Sequence, residues 1–256
     1  VITHTCEDCG ATVEGADEDA FGDAYIVHIR ADHADWPFPD IAIRNYAAAT
    51  QRLSDRTDRL EDIGDVTIHA VTEERLGDWL SFFDRDAFAG NPAWASCYCM
   101  EPFLLEPGKL QPDALGTSWE ERRALATTYF QGGRAYGYLA YVDGVPAGWV
   151  NASRRSEQAL YRQGDNVEPA DGEVVALSCF LIAPPYRRHG VAARLLERVV
   201  ADAPGRGIRA IEAYPFHEGR ANAFGPDFHG SAEMFAAAGF EPVEKRERYT
   251  VVRKQL

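Results

Sequence analysis

Two pairs of ligand-type side chains lie near the start of the chain. Two residues lie between Cys6 and Cys9 and four between His28 and His33, so a thiolate hairpin and two imidazoles on neighbouring turns could hold tetrahedral zinc. The 18 residues between Cys9 and His28 exceed the roughly twelve of a common two-cysteine, two-histidine finger, which makes the match a loose one. The competing reading is a polar helix with incidental cysteines. Metal is favoured because a short acidic segment has little apolar content to fold around without a staple. Cys97 and Cys99, beside Trp94, read as packing near a cleft, or with Cys6 and Cys9 as an all-thiolate site. Cys179 reads as packing on an apolar strand. The five cysteines, an odd number with two close pairs, suit reduced thiols or metal better than a disulfide framework.

The second constellation is Pro184-Pro185-Tyr186-Arg187-Arg188-His189-Gly190-Val191-Ala192, and its physics points to phosphate. Gly190 permits a tight turn or close approach of a ligand. The first amides of a following helix are unpaired donors, and the helix dipole favours an anion there. The setting sharpens the contrast, because 40 acidic residues outnumber 26 basic ones and the net charge is −14. Such a field repels polyanions, so nucleic acid is excluded as a partner. Only Lys109, Lys245 and Lys254 are lysines, so the basic clusters are arginine, the side chain suited to bidentate phosphate contacts.

The elements that must position these residues follow from periodicity. At 256 residues, 46% hydrophobic and 26% charged, the chain can bury a sizeable core and matches neither a disordered nor a fibrous composition. No run of about 18 apolar residues predicts a membrane span, and no secretory signal is read at the start, so the expected setting is cytoplasmic. Residues 1–35 read as a small zinc-binding module, and 36–64 as a connecting helical segment, with Ile43, Tyr46, Ala47 and Leu53 at helical spacings, a break expected near Ser54 and Gly64 placed to stop any helix that continues through Leu60. The main domain then spans 65–256. Val66, Ile68 and Ala70 alternate as a strand, and Thr72 precedes a helix with Leu76, Trp79, Leu80 and Phe83 on one face. Residues 88–116 show no clean period. Ser118 and Glu121 make a capping-box pattern for a helix stopped by Gly132-Gly133. Strands on either side of Asp143-Gly144 read as a hairpin. After a polar loop of about twenty residues come a buried strand over 174–182, a helix from Val191, a strand over 208–213, a short helix over 231–238 and a closing strand over 249–253. The aromatic stripe Tyr136, Tyr138, Tyr141 and Trp149 reads as packing, with pocket lining as the lesser alternative.

The spacing R-x-x-G-x-A from Arg187 to Ala192, followed by Ala193-Arg194-Leu195-Leu196, resembles the coenzyme A pyrophosphate loop of the GNAT superfamily of N-acetyltransferases. Phe180-Leu181-Ile182-Ala183-Pro184 is similar to the family's fourth strand with its following proline, the Asp143-Gly144 hairpin to its second and third strands, and Phe235 to Phe240 to its late helix ending in Gly-Phe. The resemblance covers residues 66 to 256 and leaves out the N-terminal segment. It implies an α/β GNAT fold, a mixed central sheet whose fourth and fifth strands splay apart, with a small zinc-finger-like module added in front. It further implies acetyl-CoA as cosubstrate, its pantetheine arm along Phe180, Leu181 and Ile182, its pyrophosphate on Arg187, Arg188, His189, Gly190, Val191 and Ala192, and Phe235 beside it. A strand amide would polarise the acetyl carbonyl.

Two positions depart from the family pattern. The frequent carboxylate near the start of the fourth strand falls at about Ala176, and the late-helix tyrosine that protonates the leaving thiolate is replaced by Phe235. Direct attack by an amine needs a base or a water chain. Glu212 and His217 are the alternatives by position, with Tyr214 as a proton donor, each weighed against an ordinary solvated or loop role. The expected activity is N-acetylation of a small-molecule or peptide amine. The competing class is a non-catalytic acyl-CoA-binding or zinc-dependent interaction protein.

Overall fold

Short alternating and periodic runs at the start of the chain build a hairpin packed on a helix. The computed structural model describes residues 1–36, 38–105, 117–164, 166–217 and 228–256. Strands β1 (Ile2–Thr5) and β2 (Thr12–Gly15) pair antiparallel. Gly10, at φ 75°, closes the turn between them, donating its amide to the Cys6 carbonyl at 2.8 Å. Asp17 then caps helix α1 (Glu18–Asp32), its side chain accepting from the Ala20 amide. Phe21, Tyr25 and Ile29, four residues apart, face Val13 and the Ile43 and Ala47 of helix α2 (Asp40–Arg52). The division expected at residue 35 is therefore not a packing boundary, because α2 completes the N-terminal core. The connecting helix α2 breaks next to Ser54, where a break was expected. It ends at Arg52, and residues 53–64 form no helix.

The rest follows the predicted order with local differences. Strand β3 (Val66–Ala70) leads through a 3₁₀ turn at Glu73–Arg75 into helix α3 (Leu76–Arg85), and Thr72 makes no side-chain cap bond. A short helical turn, α4 (Glu101–Leu104), lies within the aperiodic stretch, of which 106–116 are outside the described residues. Helix α5 (Trp119–Gln131) carries the full capping box of Ser118 and Glu121. Strands β4 (Gly137–Val142) and β5 (Val145–Asn151) meet at a two-residue turn in which Asp143 and Gly144 both have positive φ, 49° and 80°.

The segment predicted as one strand over 174–182 is divided between two sheets. Strand β6 (Val174–Ala176) runs parallel to β8 (Ala210–Ala213), whereas β7 (Ser178–Ile182) runs antiparallel to β5. The sheet orders are β3-β4-β5-β7 and β6-β8-β10-β9, with β9 (Glu241–Lys245) and β10 (Thr250–Gln255) closing the second. The expected closing strand is thus interior to its sheet, and the exposed edge strand β9 left no apolar alternation to read. Helix α6 (Val191–Asp202) and helix α7 (Ala232–Ala237) cover one face, burying Val191, Leu195, Leu196, Val199 and Phe235 against Tyr138, Val150, Val175, Phe180 and Ile211. Helix α3 and the 94–103 stretch cover the opposite face, where Trp79, Phe83, Tyr98, Trp149 and Leu181 pack together. The stripe Tyr138, Tyr141 and Trp149 is buried in these cores, as the packing reading expected.

A buried ionic network holds the point where β6 and β8 are joined. Arg155 and Glu212 are both 0% exposed. Arg155 donates to Glu212 at 3.0 Å and to Asp171 at 2.5 Å, and Arg253 of β10 donates to the same Glu212 oxygen at 2.6 and 2.9 Å. Removing one partner of such a network strands a buried charge. Glu212→Ala is expected to cost about 3–5 kcal/mol of folding stability, read by urea denaturation; a loss below about 1 kcal/mol would show that the network contributes little.

Candidate active site and metal centre

Parting of β7 from β8 leaves the far edge of β7 without a strand partner, and other groups take its backbone. The Phe180 amide donates to the Phe228 carbonyl at 2.8 Å, and Arg187 donates through Nε to the Ile182 carbonyl at 2.8 Å. Arg187 is thereby turned towards the strand, and its desolvation lowers its pKa from the ordinary guanidinium value. Arg188 and Gly190 remain exposed at the start of α6, both in the left-handed region at φ 67° and 76°. A Cβ at Gly190 would meet no atom within 4 Å. Glycine there serves the backbone conformation and leaves open space in front of the helix amides. His189 reaches the Leu60 carbonyl at 3.0 Å, while the Leu60 amide donates to the Pro185 carbonyl at 2.9 Å. Residues before β3 are thus pinned beside the turn, which periodicity gave no means of seeing.

On the opposite face of β7 a small recess is lined by Cys97, Cys99, Glu101, Tyr161, Cys179, His229 and Arg248 together with Trp94, Phe216 and Phe228. Its floor is strained. Of the five non-glycine residues with positive φ among the described residues, Tyr98 (46°), Cys99 (55°) and Cys179 (53°) lie at or beneath this recess, and a fourth, Arg188, lies in the turn before α6. Left-handed backbone at such residues costs about 1–3 kcal/mol each and persists where surrounding contacts over-determine it. Those contacts are present. The Tyr98 hydroxyl donates to Asp84 at 2.6 Å, Asp84 is held by Arg123 of α5 at 2.9–3.2 Å, and Arg52 of α2 donates to the Tyr98 oxygen at 3.0 Å. The Trp149 indole donates to the Cys99 sulfur at 3.5 Å.

The acid–base residues expected from position lie elsewhere. Glu212 is enclosed by Arg155, Arg253 and the Tyr214 hydroxyl, which donates to it at 3.1 Å, and none of its atoms lines the recess. Tyr214 is stacked on Tyr161 with centroids 3.8 Å apart, and burial holds its hydroxyl well above the ordinary phenol range. His217 pairs with the Thr250 hydroxyl at 3.1 Å and is not part of the recess lining. The geometry thus places Glu212 and Tyr214 in a buried network away from the recess. Phe235 packs against Phe180 and Phe240 and is 0% exposed, and Ala176 is likewise buried. The carboxylate that faces the recess among the described residues is Glu101. Sequence gave no sign of it, because it lies in the aperiodic stretch, four residues after Cys97 and with no motif around it.

The four N-terminal ligand-type residues converge. The side-chain atoms of Cys6, Cys9, His28 and His33 all lie within 4.8 Å of one another. Cys6 Sγ is 3.5 Å from His33 Nε2, Cys9 Sγ is 3.7 Å from His28 Nε2, and the other nitrogen of His28 meets Asp32 at 2.8 Å. The long gap between the pairs is taken up by β2 and by the ten residues of α1 that precede His28. Cys97 and Cys99 belong to the main-domain core instead, so the all-thiolate arrangement is not formed.

Residues 104–224 match the sequence profile of the Acetyltransferase (GNAT) family. That match spans just under half of the chain, whose fold is mixed α/β. No curated protein sequence matches the chain. Among solved structures it is similar to the acetyltransferase of the GNAT family from Streptococcus pneumoniae, at 15% identity and TM-score 0.44 over 75% of this chain and 100% of that one. It is also similar to YncA from Salmonella typhimurium, whose structure includes its cofactor acetyl-CoA, at 14% and 0.44 over 75% and 94%. A third is the ribosomal-protein-alanine N-acetyltransferase from Brucella melitensis, at 15% and 0.45 over 74% and 99%. Among the described residues no helix is long and apolar enough to cross a membrane.

Burial and the nearby Glu101 charge push the Cys97 thiol up to about 12, and Cys179, bonded to Cys99, is raised well above its ordinary value. Since the thiolate is the reactive form, neither cysteine is expected to react with iodoacetamide at pH 8 in the folded chain. Mass spectrometry of labelled peptides checks this, with rapid labelling of Cys97 as the contrary result.

Proposed function

We propose that the chain is an acetyl-CoA-dependent N-acetyltransferase that passes the acetyl group directly to an amine of a small molecule or peptide. The observation that carries this reading is the parting of β7 and β8 beside a helix whose first turn is approached by a left-handed, glycine-bearing, arginine-flanked loop. The amides at the start of α6 and the exposed Arg188 suit a pyrophosphate, with Val191 and Ala192 as the first helical residues. Arg187 contributes by fixing the strand end. The pantetheine arm would run along Phe180, Leu181 and Ile182, bringing the acetyl oxygen to the place of the Phe228 carbonyl on the Phe180 amide. That amide is then the donor placed to stabilise charge on the acetyl oxygen. The recess on the other face of β7 gives the amine its way to the thioester. Gly190→Asp would fill the open space with a carboxylate while leaving packing untouched. The side chain at φ 76° adds local backbone strain, so folding is checked by circular dichroism; the folded variant is expected to lose coenzyme A binding by calorimetry, and unchanged affinity would refute the placement.

Zinc in the N-terminal module belongs to the same reading. In a tetrahedral site with bonds of about 2.3 Å to sulfur and 2.0–2.1 Å to nitrogen, a sulfur and a nitrogen lie about 3.5 Å apart, which agrees with the two Cys–His separations. Asp32 on the second nitrogen of His28 supplies the outer partner that orients a metal-bound imidazole. Cys6, Cys9, His28 and His33 would hold the ion, whose part is structural, tying the hairpin to α1. One zinc per chain is expected by elemental analysis, and Cys9→Ser should abolish it and loosen residues 1–52 while coenzyme A affinity is kept. Protein purified without chelator that contains no zinc would overturn the assignment.

A further inference from the structure

The recess holds one carboxylate among largely apolar and aromatic walls, with His229 and Arg248 also in its lining. Glu101 stands at the start of α4 on the strained stretch that includes Tyr98 and Cys99, and the aromatic walls of Trp94, Tyr161, Phe216 and Phe228 enclose the same space. Cys179 and Leu181 bring the facing strand into the lining. These are the residues of β7 whose neighbours Phe180 and Ile182 point to the α6 side. A group in this recess therefore approaches the same strand from the side opposite α6.

Resting on the acetyltransferase reading, we propose that Glu101 is the catalytic residue that takes the proton from the acceptor's ammonium, and that the recess selects a primary amine carried on an aromatic or apolar body. The cationic head would meet the carboxylate and the body would lie against the aromatic walls. Glu101 accepts one proton, freeing the nitrogen lone pair. As the new carbon–nitrogen bond forms and the carbon–sulfur bond breaks, the second proton leaves nitrogen for the departing thiolate, and Glu101 returns its proton to water. The products are the amide, coenzyme A thiol and one proton, so the step balances without a further reactant.

The surroundings suit this work. Burial raises the Glu101 pKa from the ordinary carboxylate value, with His229 and Arg122 opposing that shift. The other ionisable groups facing it among the described residues are Cys97, Cys179, Tyr161 and Arg248. The thiols and the phenol are themselves raised by burial and stay neutral near pH 7. A carboxylate raised towards the working pH is a better base than one left at its solvent value. Because the base works ionised and its pKa is raised, activity should fall as pH drops through a limb lying above the usual carboxylate range.

The test uses the full chain with acetyl-CoA and 2-phenylethylamine, following thiol release against a no-amine control, with spermidine and a glycine-initiated peptide as comparison amines. Glu101→Gln is expected to lower kcat by about a hundredfold or more, to remove the acid limb of the kcat/KM profile and to keep coenzyme A affinity, while Glu101→Asp recovers part of the rate. A kcat within about threefold of the parent in Glu101→Gln, or an unchanged acid limb, overturns the role of Glu101. Turnover of spermidine or the peptide in preference to 2-phenylethylamine overturns the acceptor class. Failure of the parent chain to bind coenzyme A by calorimetry would instead sink the acetyltransferase reading itself.

Discussion

Neither Glu212 nor Arg155 touches water, and each is tolerable in the interior only because the other is there. Asp171 and Arg253 complete the set, so the network binds the 155–171 connection, β8 and β10 at a single point. Its position has a consequence for the sheet. β6 is pinned beside β8 as far as Ala176, and the Leu177 amide still donates to the Glu212 carbonyl. One residue later the chain joins β5 as β7. The gap proposed for the cosubstrate begins where the joined stretch ends, and a glutamate read from its position as a base instead holds the strands together below it.

The recess depends on a second set of constraints. Left-handed backbone at Tyr98 and Cys99 would relax if the side chains were free, and it is kept by anchors on three different helices. Asp84 is on α3, Arg123 on α5 and Arg52 on α2. Arg52 also lies over the Trp119 ring at 4.2 Å. Since α2 contributes Ile43 and Ala47 to the N-terminal core and Ala49 to the main one, the N-terminal module and the strained stretch share a helix. The module is joined to the main domain by packing and by hydrogen bonds, and its link to the recess runs through α2.

How much of this was legible without coordinates depends on the range of the interaction concerned. The capping box at Ser118, the turn at Asp143-Gly144 and the cap at Ser231 involve residues within a few positions of one another, so residue type suffices to place them. The loop from Arg187 to Ala192 was legible for the same reason, as glycine, arginine and a helix start are adjacent in the chain. Local patterning also supplied the order of the elements and both pairs of N-terminal ligands.

What tertiary structure decided are the meetings of distant residues. The apolar run 174–182 carries no mark of the residue at which it changes sheets, because both halves are equally buried and partner choice is fixed by β5 and β8. Arg155, inside a polar stretch, reads as solvated until Asp171 and Glu212, 16 and 57 positions away, are folded against it. Glu101 acquires its apolar surroundings from α4, the 160–161 turn, β7 and the 228–229 stretch together. Sequence by itself determined which chemical groups and local turns this protein has. Only the fold decided which carboxylate is locked between arginines and which faces the recess, because desolvation and charge pairing are set by neighbours in space and not by neighbours in the chain.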